Sequence, residues 1–348
     1  MSIPTQDRLS FQARMLFSAC RAGKHACKRK PLHDRAIKAT GSFFRSCLPA
    51  ISPYCGIRLF VVEYGRFHHH ILRPELLAAR EGGVPVQFCT LFSGSSGNVV
   101  YLATDRGAVL IDCGMSGKQT LEAMVKAGLD PAAIHAILIT HEHSDHIKGV
   151  GVVSRKLGVP VYATEGTWSG MPASLGEFSA CDRVVISAGE SFFLDDMEVV
   201  PFSISHDAND PVGYRFFTGR HSVAVATDLG YFSQTVCDAV SGSEIVLLES
   251  NHDPELLKNN PHYPAMLKRR ILGKKGHLSN DAGAEAAVRL AQCGTKHLLL
   301  GHLSSENNTP EIAYRTTHAA LTSAGACVGE DISLHVAARY QASFLYRV

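Results

Sequence analysis

The stretch Thr140-His141-Glu142-His143-Ser144-Asp145-His146 constrains this chain more than any other. Four candidate ligands, His141, His143, Asp145 and His146, follow an apolar run at 136–140 that reads as a buried strand. A helical pattern at 147–157 follows them. A strand-to-helix turn can send His141 and His143 to one side and Asp145 and His146 to the other, which suits two neighbouring cations. Imidazole nitrogens and carboxylate oxygens hold zinc-like ions at about 2.0–2.2 Å, and each ion takes three or four such groups. A polar surface turn can also carry these residue types, but their density directly behind an apolar strand favours metal chemistry.

Two ions need further ligands, and each should arrive at a strand end. Ile204-Ser205-His206-Asp207, Ala226-Thr227-Asp228-Leu229 and Leu300-Gly301-His302-Leu303 each terminate an apolar run. A lone histidine is more often structural, so none of the three is decisive by itself; together they form a set. Around them the pattern reads as a meander of strands at 86–92, 99–104 and 108–112, with a turn at 93–98, followed by a helix at 119–127. Strands follow at 159–163, 184–186, 198–205, 212–218 and 222–227. The last third alternates a helix at 234–240, a strand at 245–249, a helix at 281–293, a strand at 297–301, a helix at 310–324 and a final strand pair. Strand-rich halves alternating with helices predict an α/β (α+β) fold of two mixed sheets packed face to face with helices outside.

This domain is expected over residues 84–348. Residues 1–83 carry 14 Lys and Arg against five Asp and Glu, which leaves 20 against 27 for the remainder, so a basic head precedes a mildly acidic body. The head lacks sustained periodicity. It reads as a targeting or pro-segment, a disordered basic arm, or a translated upstream region from a mis-assigned start, the last being favoured because a strand-rich pattern begins abruptly near Val84. The ten cysteines are scattered with no C-x-x-C pair and read as reduced thiols of a cytoplasmic protein. No apolar run is long enough to span a membrane, and nothing in the sequence signals an oligomeric state.

The order H-x-H-x-D-H, then separate His, Asp and His, resembles the metallo-β-lactamase superfamily over roughly residues 86–348. The resemblance implies the αββα sandwich of that family. It implies that His141, His143 and His206 hold one metal, that Asp145, His146 and His302 hold a second, and that Asp228 bridges them. Asp112, after the run Val109-Leu110-Ile111, matches the family's first motif, where it would orient a ligand histidine or the metal loop; its residue type equally fits a turn acid. Six segments in order, Ser93-Gly94-Ser95-Ser96-Gly97-Asn98, 140–146, Ser205-His206-Asp207, Glu249-Ser250-Asn251-His252-Asp253, Gly276-His277-Leu278-Ser279-Asn280 and Gly301-His302-Leu303-Ser304, resemble the YycJ/WalJ-type bacterial branch. That branch is associated with DNA exonuclease activity, including a 5′→3′ activity linked to repair. No large insertion separates Asp228 from His302, unlike the β-CASP nucleases.

The expected chemistry is phosphodiester hydrolysis by a hydroxide held between two divalent ions, zinc or manganese, with DNA as substrate. Asp145 can bind metal and accept the water's proton. His277, in a glycine-rich turn before a helix, is the candidate proton donor to the leaving group. It aligns with the histidine that contacts substrate phosphate in ribonuclease Z; a capping-region histidine is the alternative. The segment 258–275 carries Lys258, Lys268, Arg269, Arg270, Lys274 and Lys275 with no acid, so it reads either as a phosphate-neutralising patch or as a solvated helix face. Ser93 and Asn98 are candidate substrate contacts if their turn forms a phosphate nest, although a tight hairpin turn is the simpler account. His252 supports the site or touches substrate, and Cys113 reads as a buried small residue. The competing function is a small-molecule hydrolase acting on a cyclic phosphodiester, a thioester or a lactam. A non-catalytic binding protein fits a complete ligand set poorly.

Overall fold

Several strands of this chain are apolar on both faces, and such strands need cover on both sides. Ala108–Ile111 and Ile245–Glu249 are buried at every residue. The computed structural model describes residues 85–179 and 182–348, so the basic head expected over 1–83 lies outside the described residues.

The chain opens with strands β1 (Gln87–Phe92), β2 (Val99–Ala103) and β3 (Ala108–Ile111). Helix α1 (Gly117–Lys126) and strand β4 (Ile134–Leu138) follow. Next come α2 (Ser144–Ile147), α3 (Val150–Leu157), β5 (Val161–Thr164), α4 (Glu165–Gly170) and β6 (Arg183–Ile186). Strands β7 (Phe192–Leu194), β8 (Met197–Ser203), β9 (Val212–Thr218) and β10 (His221–Ala226) form an antiparallel run. The remainder is α5 (Gln234–Val240), β11 (Ile245–Glu249), α6 (Pro254–Asn259), α7 (Ala265–Ile271), α8 (Asn280–Gln292), β12 (His297–Gly301), α9 (Pro310–Ser323), β13 (Ser333–Val336) and β14 (Tyr346–Arg347).

Two seven-stranded sheets result, ordered β14-β1-β2-β3-β4-β5-β6 and β13-β12-β11-β10-β9-β8-β7. Both are mixed: β3 through β6 run parallel in one, and β10 through β13 run parallel in the other. The period of two assigns alternate residues to different layers. Val109 and Ile111 of β3 join Val223, Val225 and Leu247 in the core between the sheets. Ala108 and Leu110 face outward with Leu121 and Met124 of α1. Ala224, Val246 and Leu248 face outward with Val236, Leu290 and Leu321 of the helices on the other side. This is the four-layered αββα sandwich expected from the sequence. Among the described residues no helix is long and apolar enough to cross a membrane.

Two local readings need correction, and a third gains detail. The helix expected over 147–157 is two helices, because α2 ends before Gly149. A Cβ there would lie 2.2 Å from the carbonyl oxygen of Met115, so only glycine lets the chain pass. The two final strands do not pair with each other: β13 joins β12, whereas β14 closes the opposite sheet against β1. The basic segment 258–275 holds the end of α6 and the whole of α7, and α7 buries none of its residues.

Candidate metal centre

The ends of parallel strands leave the sheet where no neighbour continues the ladder, and open α/β sheets gather ligand groups there. Here Asp112 follows β3, His141 lies just beyond β4, Asp228 follows β10, Glu249 ends β11 and His302 follows β12. Asp112, Asp228 and His302 adopt left-handed backbone angles, with φ of 61°, 61° and 55°. Such angles are uncommon for residues other than glycine and persist where surrounding structure enforces them. The 140–146 turn is clamped by its own backbone: the amides of Asn98 and Cys113 donate to the carbonyls of Asp145 and His146 at 2.8 and 2.7 Å. Gly114 permits that approach, since a Cβ there would lie 1.6 Å from the Asp145 carbonyl oxygen.

Three ring nitrogens converge on one point. His143 Nδ1 lies 3.1 Å from His141 Nε2 and 3.2 Å from His206 Nε2. Beside it, Asp145 Oδ2 lies 3.6 Å from both His146 Nε2 and His302 Nε2. Asp228 stands between the groups, with Oδ2 3.5 Å from His146 Nε2 and Oδ1 3.8 Å from His206 Nε2. His141, His146, His206, His302 and Asp228 are all buried. Asp228 Oδ2 and His302 Nε2 are buried without any hydrogen-bond partner. A buried polar atom left unpaired is costly, and two facing the same space fit a site completed by a cation.

The remaining atoms of these side chains are committed so that the ligating atoms face inward. Asp112 accepts from the Thr140 amide at 2.8 Å, from its hydroxyl at 2.9 Å and from His146 Nδ1 at 2.8 Å. The same hydroxyl lies 3.0 Å from His141 Nδ1. His206 Nδ1 donates to the Gly276 carbonyl at 3.1 Å. Fixing one ring nitrogen selects the tautomer and leaves the other to ligate.

Glu249 is the group that the sequence did not single out. Its Oε1 accepts from His277 Nδ1 at 2.8 Å and His302 Nδ1 at 2.9 Å, and its Oε2 accepts from the amides of Leu229 and Leu278 at 2.6 and 3.0 Å. An acid closing a fully apolar strand, in register with the strands that deliver Asp228 and His302, was the available signal.

The electrostatics match the geometry. Burial alone would raise Asp145, yet the adjoining His146 and His302 hold its carboxyl well below the usual range. Burial would lower His146, but Asp228, Asp112 and Asp145 outweigh it and bring the group up to about 9. His302 is raised for the same reason, against its burial, chiefly by Asp228. His141, which touches no carboxylate, is driven well down by burial and by the neighbouring imidazoles. Carboxylate charge therefore concentrates on the Asp145, His146 and His302 side, where a cation would be most favoured.

His277 is half-buried, with Nδ1 3.7 Å from Asp228 Oδ1 and its ring centroid 5.1 Å from those of both His206 and His302. Ser93 and Asn98 are placed differently from the substrate contacts expected of them. Ser93 Oγ accepts from the His302 amide at 2.9 Å. Asn98 Oδ1 accepts from the Gly94 amide at 2.9 Å, while its Nδ2 lies 3.1 Å from His146 Nε2. Both are buried and brace the metal-side loops, as a tight turn does. His252 is also buried, and neither ring nitrogen has a hydrogen-bond partner.

In the basic segment, Arg270 Nε binds Asp207, whose Oδ1 lies 3.5 Å from His206 Nε2. Lys268 donates to the carbonyl of Lys258 at 2.6 Å, and Lys258 pairs with Glu255 at 2.7 Å. Arg269, Lys274 and Lys275 are exposed. Ser205 Oγ donates to the Lys274 carbonyl at 2.7 Å, which ties this segment to the strand end carrying His206.

Residues 108–303 match the family described as the beta-lactamase superfamily domain. The chain belongs to the metallo-β-lactamase superfamily. Exodeoxyribonuclease YycJ of Bacillus anthracis is 40% identical to it over 250 residues, which cover 72% of this chain and 94% of that protein. Exodeoxyribonuclease WalJ of Streptococcus pneumoniae serotype 2 is 41% identical over 251 residues, 72% of this chain and 93% of that protein. Among solved structures, the metallo-β-lactamase fold protein YhfI of Bacillus subtilis superposes with a TM-score of 0.57 at 14% identity, covering 76% of this chain and all of YhfI. Zn(2+)-bound PqqB of Methylobacterium extorquens gives 0.57 at 16% identity, over 74% of this chain and 99% of PqqB. At these identities the structures speak to the superfamily fold alone.

Proposed function

We propose that this metallo-β-lactamase superfamily member is a dinuclear metal-dependent exodeoxyribonuclease that degrades DNA in the 5′→3′ direction. The observation that carries the reading is the convergence of seven ligating side chains, His141, His143 and His206 in one trio, Asp145, His146 and His302 in another, and Asp228 between them. The two exodeoxyribonuclease relatives, similar over nearly their whole lengths, support the choice of substrate. Nitrogen and oxygen donors without a thiolate suit Zn²⁺ or Mn²⁺. When bound, a pair of such ions polarises a phosphoryl oxygen and makes a water nucleophilic at neutral pH.

The chain's own groups divide the remaining work. Asp145 stays ionised, the state in which it can both ligate and take a proton from the attacking water. Glu249 accepts from Nδ1 of His277, so it is the imidazolium form, with a second N–H on Nε2, that would give a proton to the departing alkoxide and be left as neutral imidazole. Asp112 and Glu249 keep His146 and His302 oriented. Lys268, Arg269, Arg270, Lys274 and Lys275 lie on the segment leading into His277 and give the phosphate backbone a cationic approach. A cytoplasmic setting fits the free thiols of the described cysteines.

The test is degradation of 5′-labelled duplex DNA with Mn²⁺, run beside a bis-aryl phosphodiester and a thioester. Release of label from the 5′ end with slow thioester turnover is expected. Rapid thioester turnover with intact DNA would select the small-molecule hydrolase instead.

A further inference from the structure

Helix α8 carries small residues where it faces the loop 230–232. Ser279 caps the helix, and Ala282 and Ala286 follow at helical spacing. The space they leave is a cavity of about 370 Å³ that shares His277 with the metal centre. It falls within the size range of small-molecule sites, roughly 300–1,000 Å³. Tyr231 and Phe232, just beyond Asp228 in the chain, line it together with Leu272. Tyr231 and Leu272 are 46% and 48% exposed, so their apolar faces are open to a molecule entering the cavity.

The lining is at least as polar as it is apolar, and its charges balance. Glu285 and Arg289 are of opposite sign and both exposed. His252 also lines the cavity; it is 1% exposed, and both its ring nitrogens lack partners. Burial holds its pKa down to about 4, so the ring is neutral and carries one donor and one acceptor. Buried polar groups are nearly always paired, so an orphaned imidazole in a cavity wall points to a ligand that supplies the partner. A bare phosphate would call for a net cationic lining. A flat, uncharged ring system with a hydrogen-bonding edge matches what is present, because every nucleobase can stack on an aromatic face.

We propose that this cavity receives the base of the terminal nucleotide, so that a chain end is presented to the metal centre. The proposal rests on the phosphodiesterase reading above and adds a reason for cleavage at ends. With the base seated against Tyr231 and Phe232, His277 lies beside both the nucleotide and the metal-site carboxylate Asp228. A cavity of about 370 Å³ is the size of a site for one small unit and not for a stack of paired bases.

Calorimetry on the full chain loaded with Mn²⁺ tests this without turnover. Deoxyadenosine monophosphate should bind about ten-fold more tightly than 2-deoxyribose 5-phosphate, which lacks the base. Ala282→Phe fills the cavity and Tyr231→Ala removes an exposed wall, so each should shrink that advantage toward unity. Equal affinity of the two ligands for the unaltered chain, or an undiminished advantage in both variants, overturns the proposal. The DNA degradation assay answers separately for the nuclease reading: base-dependent binding by a chain that leaves DNA intact keeps the pocket and removes the nuclease.

Discussion

The turn 140–146 and the segment 258–275 border the same centre and are built on opposite principles. In the turn, His141 and His146 are fully buried, and their free ring nitrogens are held by Thr140 and Asp112. In the segment, α7 buries nothing, Met266 is 76% exposed, and Arg269, Lys274 and Lys275 stand in solvent. Holding a cation demands several groups fixed to fractions of an ångström, which burial and hydrogen bonds supply. Meeting a polyanion demands charge near its path and tolerates looseness, because attraction between exposed charges is weakly directional and acts over about a Debye length, roughly 8–10 Å, rather than at contact distance alone. Mutations in the first region should therefore abolish function, whereas those in the second should tune it.

The largest effect is expected at the shared carboxylate. Asp228→Ala should lower turnover by about 10³-fold and lower bound metal with it, because the variant removes a group facing both trios; elemental analysis beside the nuclease assay reads both. His277→Ala sits one step out. It should retain metal and lose about 10²–10⁴-fold in turnover, as expected for a lost proton donor. Metal loss in that variant would move His277 into the ligand set. Asp112→Asn leaves every ligand in place but weakens the hold on His146. Metal affinity should fall by about 10–100-fold, measured by competition with a chelating dye. The exposed cations come last: Arg269→Ala, Lys274→Ala or Lys275→Ala should each flatten the dependence of log affinity on log salt for duplex DNA by about 0.9, for each phosphate contact removed. An unchanged slope would return that residue to the solvated face.

The two regions also differ in how plainly the sequence discloses them. The turn is contiguous, so His141, His143, Asp145 and His146 declare themselves within one strand-to-helix junction. His206, Asp228 and His302 are distant in the chain, yet each follows an apolar run, and strand ends are where such sheets place their ligands. Glu249 stayed hidden because its role exists only in three dimensions: β11 lies between β10 and β12, and that register brings the acid to His277 and His302. Ser93 and Asn98 showed as turn residues. That their side chains point inward depends on where His302 and the 140–146 turn arrive. The strand alternation gave the sandwich and most element positions, but β14 pairs with β1 from the opposite end of the described domain, and local periodicity carries nothing about such a partner. In segment 258–275 the charge run allowed a solvated helix face, but with no buried face on α7 nothing in the pattern marked the helix bounds.

Two trios and a shared aspartate should form one centre for two ions. Metal titration of the full chain, followed by calorimetry and checked by elemental analysis, tests it most directly. Two equivalents of Mn²⁺ or Zn²⁺ per chain are expected, with Asp145→Ala and His206→Ala each lowering the number bound. A chain that saturates at one equivalent, or that binds two with both variants unchanged, would contradict it.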